Sequence, residues 1–274
     1  MPGIIWLASY PKSGNTWMRA FLANYLDNPD KPISINDLPN HILGDGFVAH
    51  YETYSGQKMA DLSDEEIAQL RPKVHDWFVM SRGQDIFVKT HSMIATIAGT
   101  PLISPGVTAG ARDIVRNPLD VAVSFSHHFE VDLQRAEDSL CEPNYNLPGT
   151  DELLVQFLGS WSRHVKSWTK AQGLVLHVVR YEDLVQKPLK AFGQVVDFLQ
   201  LPNRRDRLKK AIAFSSFKEL STQEASEDFV ESRPDSDTKF FRAGRVGGWR
   251  DHLSDSQVAQ LVEAHEETLR ALGY

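Results

Sequence analysis

Cysteine is nearly absent: Cys141 is the single one in 274 residues. That excludes an internal disulfide and a cysteine-built zinc site, and a reducing compartment fits best. Long apolar runs are also missing. Nothing approaches the roughly 18 residues that read as a membrane span. The run Ile4–Ala8 is too short for a secretory signal core and no basic residue precedes it. Pro2 removes the glycine that myristoylation needs. Basic charge is in deficit, with 29 Lys+Arg against 36 Asp+Glu and a formal net charge of −7. Such a chain lacks the broad basic surface of sequence-independent nucleic-acid binders. A small basic pocket for an anion stays open, because net charge speaks to solubility rather than to sites. The expectation is a cytoplasmic protein with neither a membrane nor a nucleic-acid partner.

What is present is ordinary for a globular chain: 42% hydrophobic and 24% charged residues. The length suffices for a large core without staples. Dominant disorder, a collagen-like fibre and a small disulfide scaffold are excluded. Neither a repeat nor a linker is visible, so one domain over residues 1–274 is expected.

Short apolar runs alternate with segments of helical period, which points to an α/β fold with a central parallel sheet flanked by helices. Ile4–Ala8 reads as a buried strand, Ser9–Asn15 as a loop and Thr16–Leu26 as a helix. Ser63 and Glu66 form a capping box, with Leu62 and Ile67 as its staple, and the helix they open is expected to reach a boundary near Pro72. Ile86–Val88 and Ile114–Val115 read as strands. Asn117 as N-cap with Pro118 predicts a helix through about Phe129. Leu154, Phe157, Leu158, Trp161, Val165 and Trp168 recur as one amphipathic helix. A strand over Leu174–Val179 and helices over Leu189–Leu199 and from Ser254 onward complete the pattern. The stretches Pro39–Met59, Val131–Gly149 and Ser221–Phe241 lack a clear period and read as binding loops.

Four segments carry chemistry. The first is Tyr10-Pro11-Lys12-Ser13-Gly14-Asn15-Thr16-Trp17, directly after the first strand. Loop N–H groups and a helix N-terminus attract an anion, Lys12 adds a point charge, and Ser13 and Thr16 add donors. The nucleoside-triphosphate loop places two glycines before its lysine, whereas Lys12 precedes Gly14. The second is Lys89-Thr90-His91, at the strand end that opens onto the ligand crevice of a parallel sheet. A histidine there could take a proton from an attacking hydroxyl, or serve structure alone. The third is Arg116-Asn117-Pro118-Leu119-Asp120-Val121-Ala122-Val123-Ser124, where an arginine fork and a hydroxyl suit a second phosphate; an Arg116–carboxylate pair is the plain alternative. The fourth is Phe241-Arg242-Ala243-Gly244-Arg245-Val246-Gly247-Gly248-Trp249-Arg250, a basic, glycine-rich loop suited to closing over an anion, or merely solvated.

Taken together and in this order, the segments resemble the cytosolic-type sulfotransferases, which use 3′-phosphoadenosine 5′-phosphosulfate (PAPS). YPKSGNTW is similar to the family's TYPKSGTTW, RNPLDVAVS to its 3′-phosphate segment, VRYEDL at Val179–Leu184 to its adenine-side strand end, and FRAGRVGGWRDHL to RKGxxGDWKNHF. The resemblance implies a strand–loop–helix donor site. Lys12 would follow charge onto the leaving phosphate. Ser13, Gly14, Asn15 and Thr16 would bind the 5′-phosphate, and Trp17 would stack on adenine. Arg116 and Ser124 would bind the 3′-phosphate, Tyr181, Ser215 and Phe217 would complete the base pocket, and Arg242 and Gly244 would close over it. His91 would be the general base, with Lys89 beside it.

The implied reaction moves a sulfuryl group from PAPS to a hydroxyl of a small acceptor, releasing PAP. A sulfuryl group carries less charge than a phosphoryl group, so lysines can stand in for the metal of phosphoryl transfer, and no metal is expected. His127 and His128 lie about 100° apart on a helix and do not make one site. Phe47, His50, Tyr51, Tyr54, Phe129, Tyr145 and Phe229, in the irregular stretches, are the candidate lining for a phenol, a fused-ring compound or a lipid-like alcohol. Three features depart from the family. Ala243 stands where RKG has lysine, with Arg245 as the candidate substitute. Arg112-Asp113 is a charged pair where an apolar strand is usual. The family's dimer motif is absent at Arg250, Ser254, Asp255 and Ala259, which leaves the oligomeric state open. A small-molecule or nucleotide kinase and a PAP-binding protein without catalysis are the competing readings.

Overall fold

The computed structural model describes residues 2–232 and 238–274. In chain order the regular elements are β1 (Ile4–Ser9), α1 (Asn15–Asp27), α2 (Leu38–His41), β2 (Leu43–Gly44), α3 (Val48–Ser55), α4 (Asp64–Arg82) and β3 (Ile86–Thr90). The short β4 (Thr96–Ile97) and β5 (Thr100–Pro101) precede β6 (Thr108–Val115), α5 (Pro118–Phe129), α6 (Leu133–Cys141), β7 (Asn146–Leu147) and β8 (Gln156–Phe157). Then come α7 (Trp161–Thr169), β9 (Leu176–Arg180), α8 (Tyr181–Gln186), α9 (Pro188–Phe198), α10 (Arg205–Phe214), α11 (Phe217–Ser226) and α12 (Asp255–Leu272). No helix among the described residues is long and apolar enough to cross a membrane.

The chain forms two compact units. The first comprises the residues through Tyr10, Leu43–Asp113 and Leu140–Val178. It holds most of a five-stranded sheet of order β2-β3-β1-β6-β9, in which β1 and β2 both pair parallel to β3. Ile4, Trp6, Leu7 and Ala8 are wholly buried, as expected of a parallel strand covered on both faces. The register sets Ala8 opposite Thr90, so β1 and β3 end level with each other. The second unit comprises Pro11–Ile42, Ile114–Ser139 and Val179–Tyr274. Its α1 follows Gly14 and buries Met18, Phe21, Leu22 and Tyr25.

Several elements differ from the sequence expectation. The helix opened by Ser63 does carry its capping box, but runs through Pro72 to Arg82. Buried Val74, His75, Phe78 and Val79 hold the turns beyond the proline, and packing outweighs the missing backbone hydrogen bond. The helix expected from Leu154 starts only at Trp161, because Gly159 adopts φ +63° and Ser160 caps the helix by accepting from the Arg163 amide. Leu154 instead donates its amide to the Gly46 carbonyl at 2.8 Å. The three patternless stretches also hold regular structure, namely most of α2 with β2 and α3, then α6 and β7, and the later part of α11. These are short or local elements that leave little periodic trace.

Arg112 and Asp113 lie within β6 and are fully buried. Burial lowers Arg112 to about 9, and the Arg112 guanidinium donates to His177 Nδ1. Burial pushes the Asp113 carboxyl well above the usual carboxylate range, so the neutral acid is the form the core accepts. His177, His164 and His265 are each lowered to about 4, burial being the first cause in every case. The native protein holds these rings neutral while the unfolded chain protonates near 6.5. Their contribution is therefore complete above about pH 6.5 and is lost as pH falls toward 4. The melting temperature should decline between pH 7 and pH 5, the three rings together outweighing the opposite contribution of the single buried Asp113. A flat profile over that interval, followed by differential scanning fluorimetry, would contradict the burial argument.

Candidate active site

In the second unit the chain leaves the sheet region through Pro11 and turns sharply. Lys12 adopts φ +66° and Gly14, the residue before α1, adopts φ +104°. A Cβ on Gly14 would stand 2.8 Å from the Tyr181 ring. Glycine is therefore required both by conformation and by room. No side chain caps α1 at Gly14, and a helix N-terminus of that kind favours an anion. Ser13 is fully buried and its Oγ has no hydrogen-bond partner in the protein. An uncapped helix start, a buried orphan hydroxyl and a close-fitting glycine are what a phosphate group satisfies.

Cationic side chains gather around this loop. Arg116 donates through Nη1 to the Lys12 carbonyl at 2.9 Å and through Nη2 to the Arg245 carbonyl at 3.3 Å. Its guanidinium carbon lies 4.3 Å from the Tyr181 ring centroid. Arg242 is lowered from its ordinary value, first by burial and then by the charges of Arg245 and Arg116. Three guanidiniums gathered in one region mark a place for an anion. The Lys12 ammonium stands 3.8 Å from the Phe240 ring centroid. Arg245 also pairs with Asp251 at 2.5 Å.

The aromatic side of the same region is compact. Trp17 meets Tyr181 and Phe192 edge-on, with centroids 5.6 and 5.4 Å apart. Gly244 adopts φ +58°, and a Cβ there would fall 2.3 Å from Phe217. Ser215 is buried and donates to the Ala211 carbonyl at 2.8 Å, and Ser124 lies half-buried about two turns into α5. Asn15 and Thr16 are buried at the helix start, and Thr16 Oγ1 accepts from Arg19 at 3.2 Å. Two residues escaped the sequence reading. Asp120 accepts from the Gly247 and Trp249 amides at 2.7 and 3.0 Å, which docks the glycine-rich segment on α5. Glu182 accepts from the Asn117 amide at 3.0 Å and from the Tyr274 hydroxyl at 2.7 Å. Both are carboxylates inside recognised motifs, and only the fold reveals their amide partners.

In the first unit, His91 follows the last residue of β3. Its Nδ1 lies 2.8 Å from the Ser9 carbonyl and 3.2 Å from Ser9 Oγ. A carbonyl only accepts, so Nδ1 carries the hydrogen and the lone pair is on Nε2. Lys89, Thr90, His91, Phe47, Asp45 and Arg71 are among the residues lining a small cavity of 30 Å³. Asp45 is a buried hub that accepts from Arg71 at 2.9 Å, His75 Nε2 at 2.7 Å and Thr90 Oγ1 at 3.2 Å. Burial raises its pKa, but the charges and hydrogen bonds of Arg71 and His75, with the Thr90 bond, outweigh burial and hold it at about 2. A second cavity of 550 Å³ shares Arg71 and Leu153 with the first and is lined by Val48, Met59, Ile67, Leu154 and Phe157 among others.

Of the residues named for the acceptor, Phe47 lines the small cavity. His50 packs on Phe78, Tyr51 is fully buried beside Asp45, and Tyr54 lies against Trp77. Tyr145 is half-buried and its carbonyl receives the Leu158 and Gly159 amides. In the second unit, Phe129 stacks near Phe125 and Phe229 is buried against Phe240 and Phe241. None of this aromatic set lines the larger cavity, whose lining mixes Val48, Met59, Ile67, Leu154 and Phe157 with the charged Glu52, Lys58 and Asp64. Among the described residues, no group of three or more His, Cys, Asp or Glu side chains is arranged to hold a metal.

A family profile described as a sulfotransferase domain matches residues 113–273, which is more than half of the chain. The chain belongs to the sulfotransferase family. The sulfotransferase is 26% identical to mouse Sulfotransferase 1B1 over 285 residues, covering 98% of this chain and 83% of the relative. It is 21% identical to Flavonol 3-sulfotransferase of Flaveria bidentis, covering 99% and 83%. In fold it is similar to mouse sulfotransferase SULT7A1 complexed with PAP, with TM-score 0.64, 20% identity and coverage of 98% and 85%. It is also similar to retinol dehydratase in complex with androsterone and PAP, with TM-score 0.66, 17% identity and coverage of 97% and 80%. The sulfotransferase is accordingly a sulfuryl-transfer enzyme on the expected α/β fold.

Proposed function

We propose that this sulfotransferase moves the sulfuryl group of PAPS to a hydroxyl of a small-molecule acceptor. The observation that carries the reading is the basic cradle at the start of α1: an uncapped helix, a buried orphan Ser13 Oγ, and the guanidiniums of Arg116, Arg242 and Arg245. The donor supplies an activated sulfuryl group on a phosphate leaving group. Ser13, Gly14, Asn15 and Thr16 would hold its 5′ end. Arg116, Ser124, Arg242 and Gly244 would hold its 3′-phosphate, with Arg245 supplying the charge that Ala243 lacks. Trp17, Tyr181, Ser215 and Phe217 would bound the base. Lys12 stabilises charge on the leaving oxygen, as a fixed cation does without reorganising. His91, with its lone pair on Nε2, accepts the acceptor's hydroxyl proton, and Lys89 assists as a neighbouring cation. This scheme asks for no metal.

The acceptor we infer is a phenol, a fused-ring compound or a lipid-like alcohol. The larger cavity supports this, since its lining combines the apolar Val48, Met59, Ile67, Leu154 and Phe157 with a few polar groups, Glu52, Lys58 and Asp64 among them. We place the enzyme in the cytoplasm, on the strength of its single cysteine, which fits a reducing compartment.

Thermal shift with PAP, run beside ATP with Mg²⁺, tests the donor assignment. At about 100 times Kd a ligand adds roughly 2.7 kcal/mol, on the order of 5–11 °C for a chain of this size. A shift of that size with PAP and none with ATP supports the reading. A shift with ATP–Mg²⁺ alone would replace it with a kinase.

A further inference from the structure

Beyond β3 the backbone leaves the sheet ladder, and its polar groups need other partners. In the first unit one face of α7 supplies several of them. His164 Nε2 donates to the His91 carbonyl at 3.0 Å. Ser167 Oγ accepts from the Ile94 amide at 3.0 Å, and Trp168 Nε1 donates to the Ser92 carbonyl at 3.3 Å. Positions 164, 167 and 168 are spaced i, i+3 and i+4, so they share a helix face. From the other side, Thr90 Oγ1 accepts from the Ser92 amide at 3.1 Å while donating to Asp45. The Met93 amide donates to the Phe157 carbonyl at 2.7 Å.

His164 is fully buried and meets Tyr10 edge-on with centroids 5.6 Å apart. Its Nδ1 has no hydrogen-bond partner in the protein. A buried imidazole with one orphan nitrogen is an expensive way to fill space, since a phenyl ring would pack without that cost. What histidine adds over phenylalanine is a single donor, and that donor is aimed at the carbonyl of His91. The bond fixes the peptide plane that carries the His91 side chain toward the Ser9 carbonyl.

We propose that His164 is a positioning residue for His91, and that the α7 face of His164, Ser167 and Trp168 braces the His91–Ile94 segment so that the His91 hydrogen stays on Nδ1 and its lone pair on Nε2. This rests on the reading of His91 as the general base. Removing the brace should let the segment relax and loosen the Nδ1–H bond to Ser9. A displacement of about 1 Å at a reacting group costs on the order of 100-fold in rate.

The test uses the full chain and four variants. His164→Phe removes the donor and keeps the ring, His164→Gln restores a donor near the Nε2 position, Trp168→Phe removes the neighbouring donor, and His91→Ala reports on the base itself. The first readout is the His91 imidazole tautomer by long-range ¹H–¹⁵N NMR, which needs no acceptor. Wild type and His164→Gln should show the Nδ1–H form, whereas His164→Phe should show a mixture. The second readout is PAPS turnover with 4-nitrophenol as probe acceptor. His164→Phe should lower kcat roughly 10- to 100-fold with a small change in KM, His164→Gln should recover most of it, and PAP affinity should stay unchanged in both. If His164→Phe does not fold, Trp168→Phe reads the same tautomer with a milder change. An unaltered tautomer in the folded brace variants overturns the inference. So does wild-type kcat in His164→Phe while His91→Ala is inactive. Full activity in His91→Ala overturns the base reading instead, and the two failures are distinguishable.

Discussion

Lys12→Ala should lower kcat for sulfuryl transfer by about 10²–10³-fold, the usual cost of deleting one preorganised charge at a developing oxyanion. Lys12 is well suited to a clean test. Its backbone adopts φ +66° and its carbonyl is held by Arg116, so the turn is anchored by groups that the substitution leaves in place. Gly14, the uncapped start of α1 and Ser13 are untouched as well. PAP binding should therefore fall far less than kcat, which marks an interaction made mainly in the transition state. Stopped assays of PAPS turnover give kcat, and calorimetric titration with PAP gives the affinity. Equal losses in both would make Lys12 a ground-state anchor. A change of only a few-fold would remove it from the chemistry. Arginine at this position should not restore full rate, because a planar fork does not reproduce a compact point charge.

The candidate donor loop was legible in the sequence because its chemistry is local. Lys12, Ser13 and Gly14 stand next to one another, and a strand before them with a helix after them fixes their geometry. β1 and the N-cap at Asn117 were readable for the same reason, the first from an unbroken apolar run and the second from the Asn–Pro pair. The partners that finish each site were not. Asp120 reaches Gly247 and Trp249 across 127 and 129 positions, and Ser9 reaches His91 across 82. No periodicity encodes such pairs. The same holds for the buried Asp45–Arg71–His75 hub, whose members look like surface polar residues in a loop and a charged helix. Leu154–Leu158 misled for a different reason. Apolar spacing alone does not separate a helix from a buried strand segment, and the decisive positive φ at Gly159 is silent in a hydropathy pattern. The acceptor lining was read from aromatic content; of that set Phe47 lines the small cavity, while the larger one is lined by residues outside the set, Val48, Met59, Leu154 and Phe157 among them.

His91→Ala should lower kcat by about 10²–10⁴-fold, the range expected when a general base is removed, with PAP affinity unchanged. The ring's Nδ1–H is committed to the Ser9 carbonyl, which leaves Nε2 as the nitrogen able to accept a proton. That division of roles separates chemistry from placement through a second variant. His91→Asn can still donate an N–H toward Ser9 but has no basic nitrogen, so it should be as slow as His91→Ala. If asparagine restored activity, the residue would be acting as a hydrogen-bond fixture for the β1 end and not as a base. Acceptors of lower pKa should also suffer less from either substitution, because a phenol that ionises readily needs less help losing its proton. A series of substituted phenols, with kcat/KM plotted against phenol pKa, measures this. The variants should show a steeper advantage for acidic phenols than wild type does, and parallel plots would exclude proton removal by His91 from the rate-determining step.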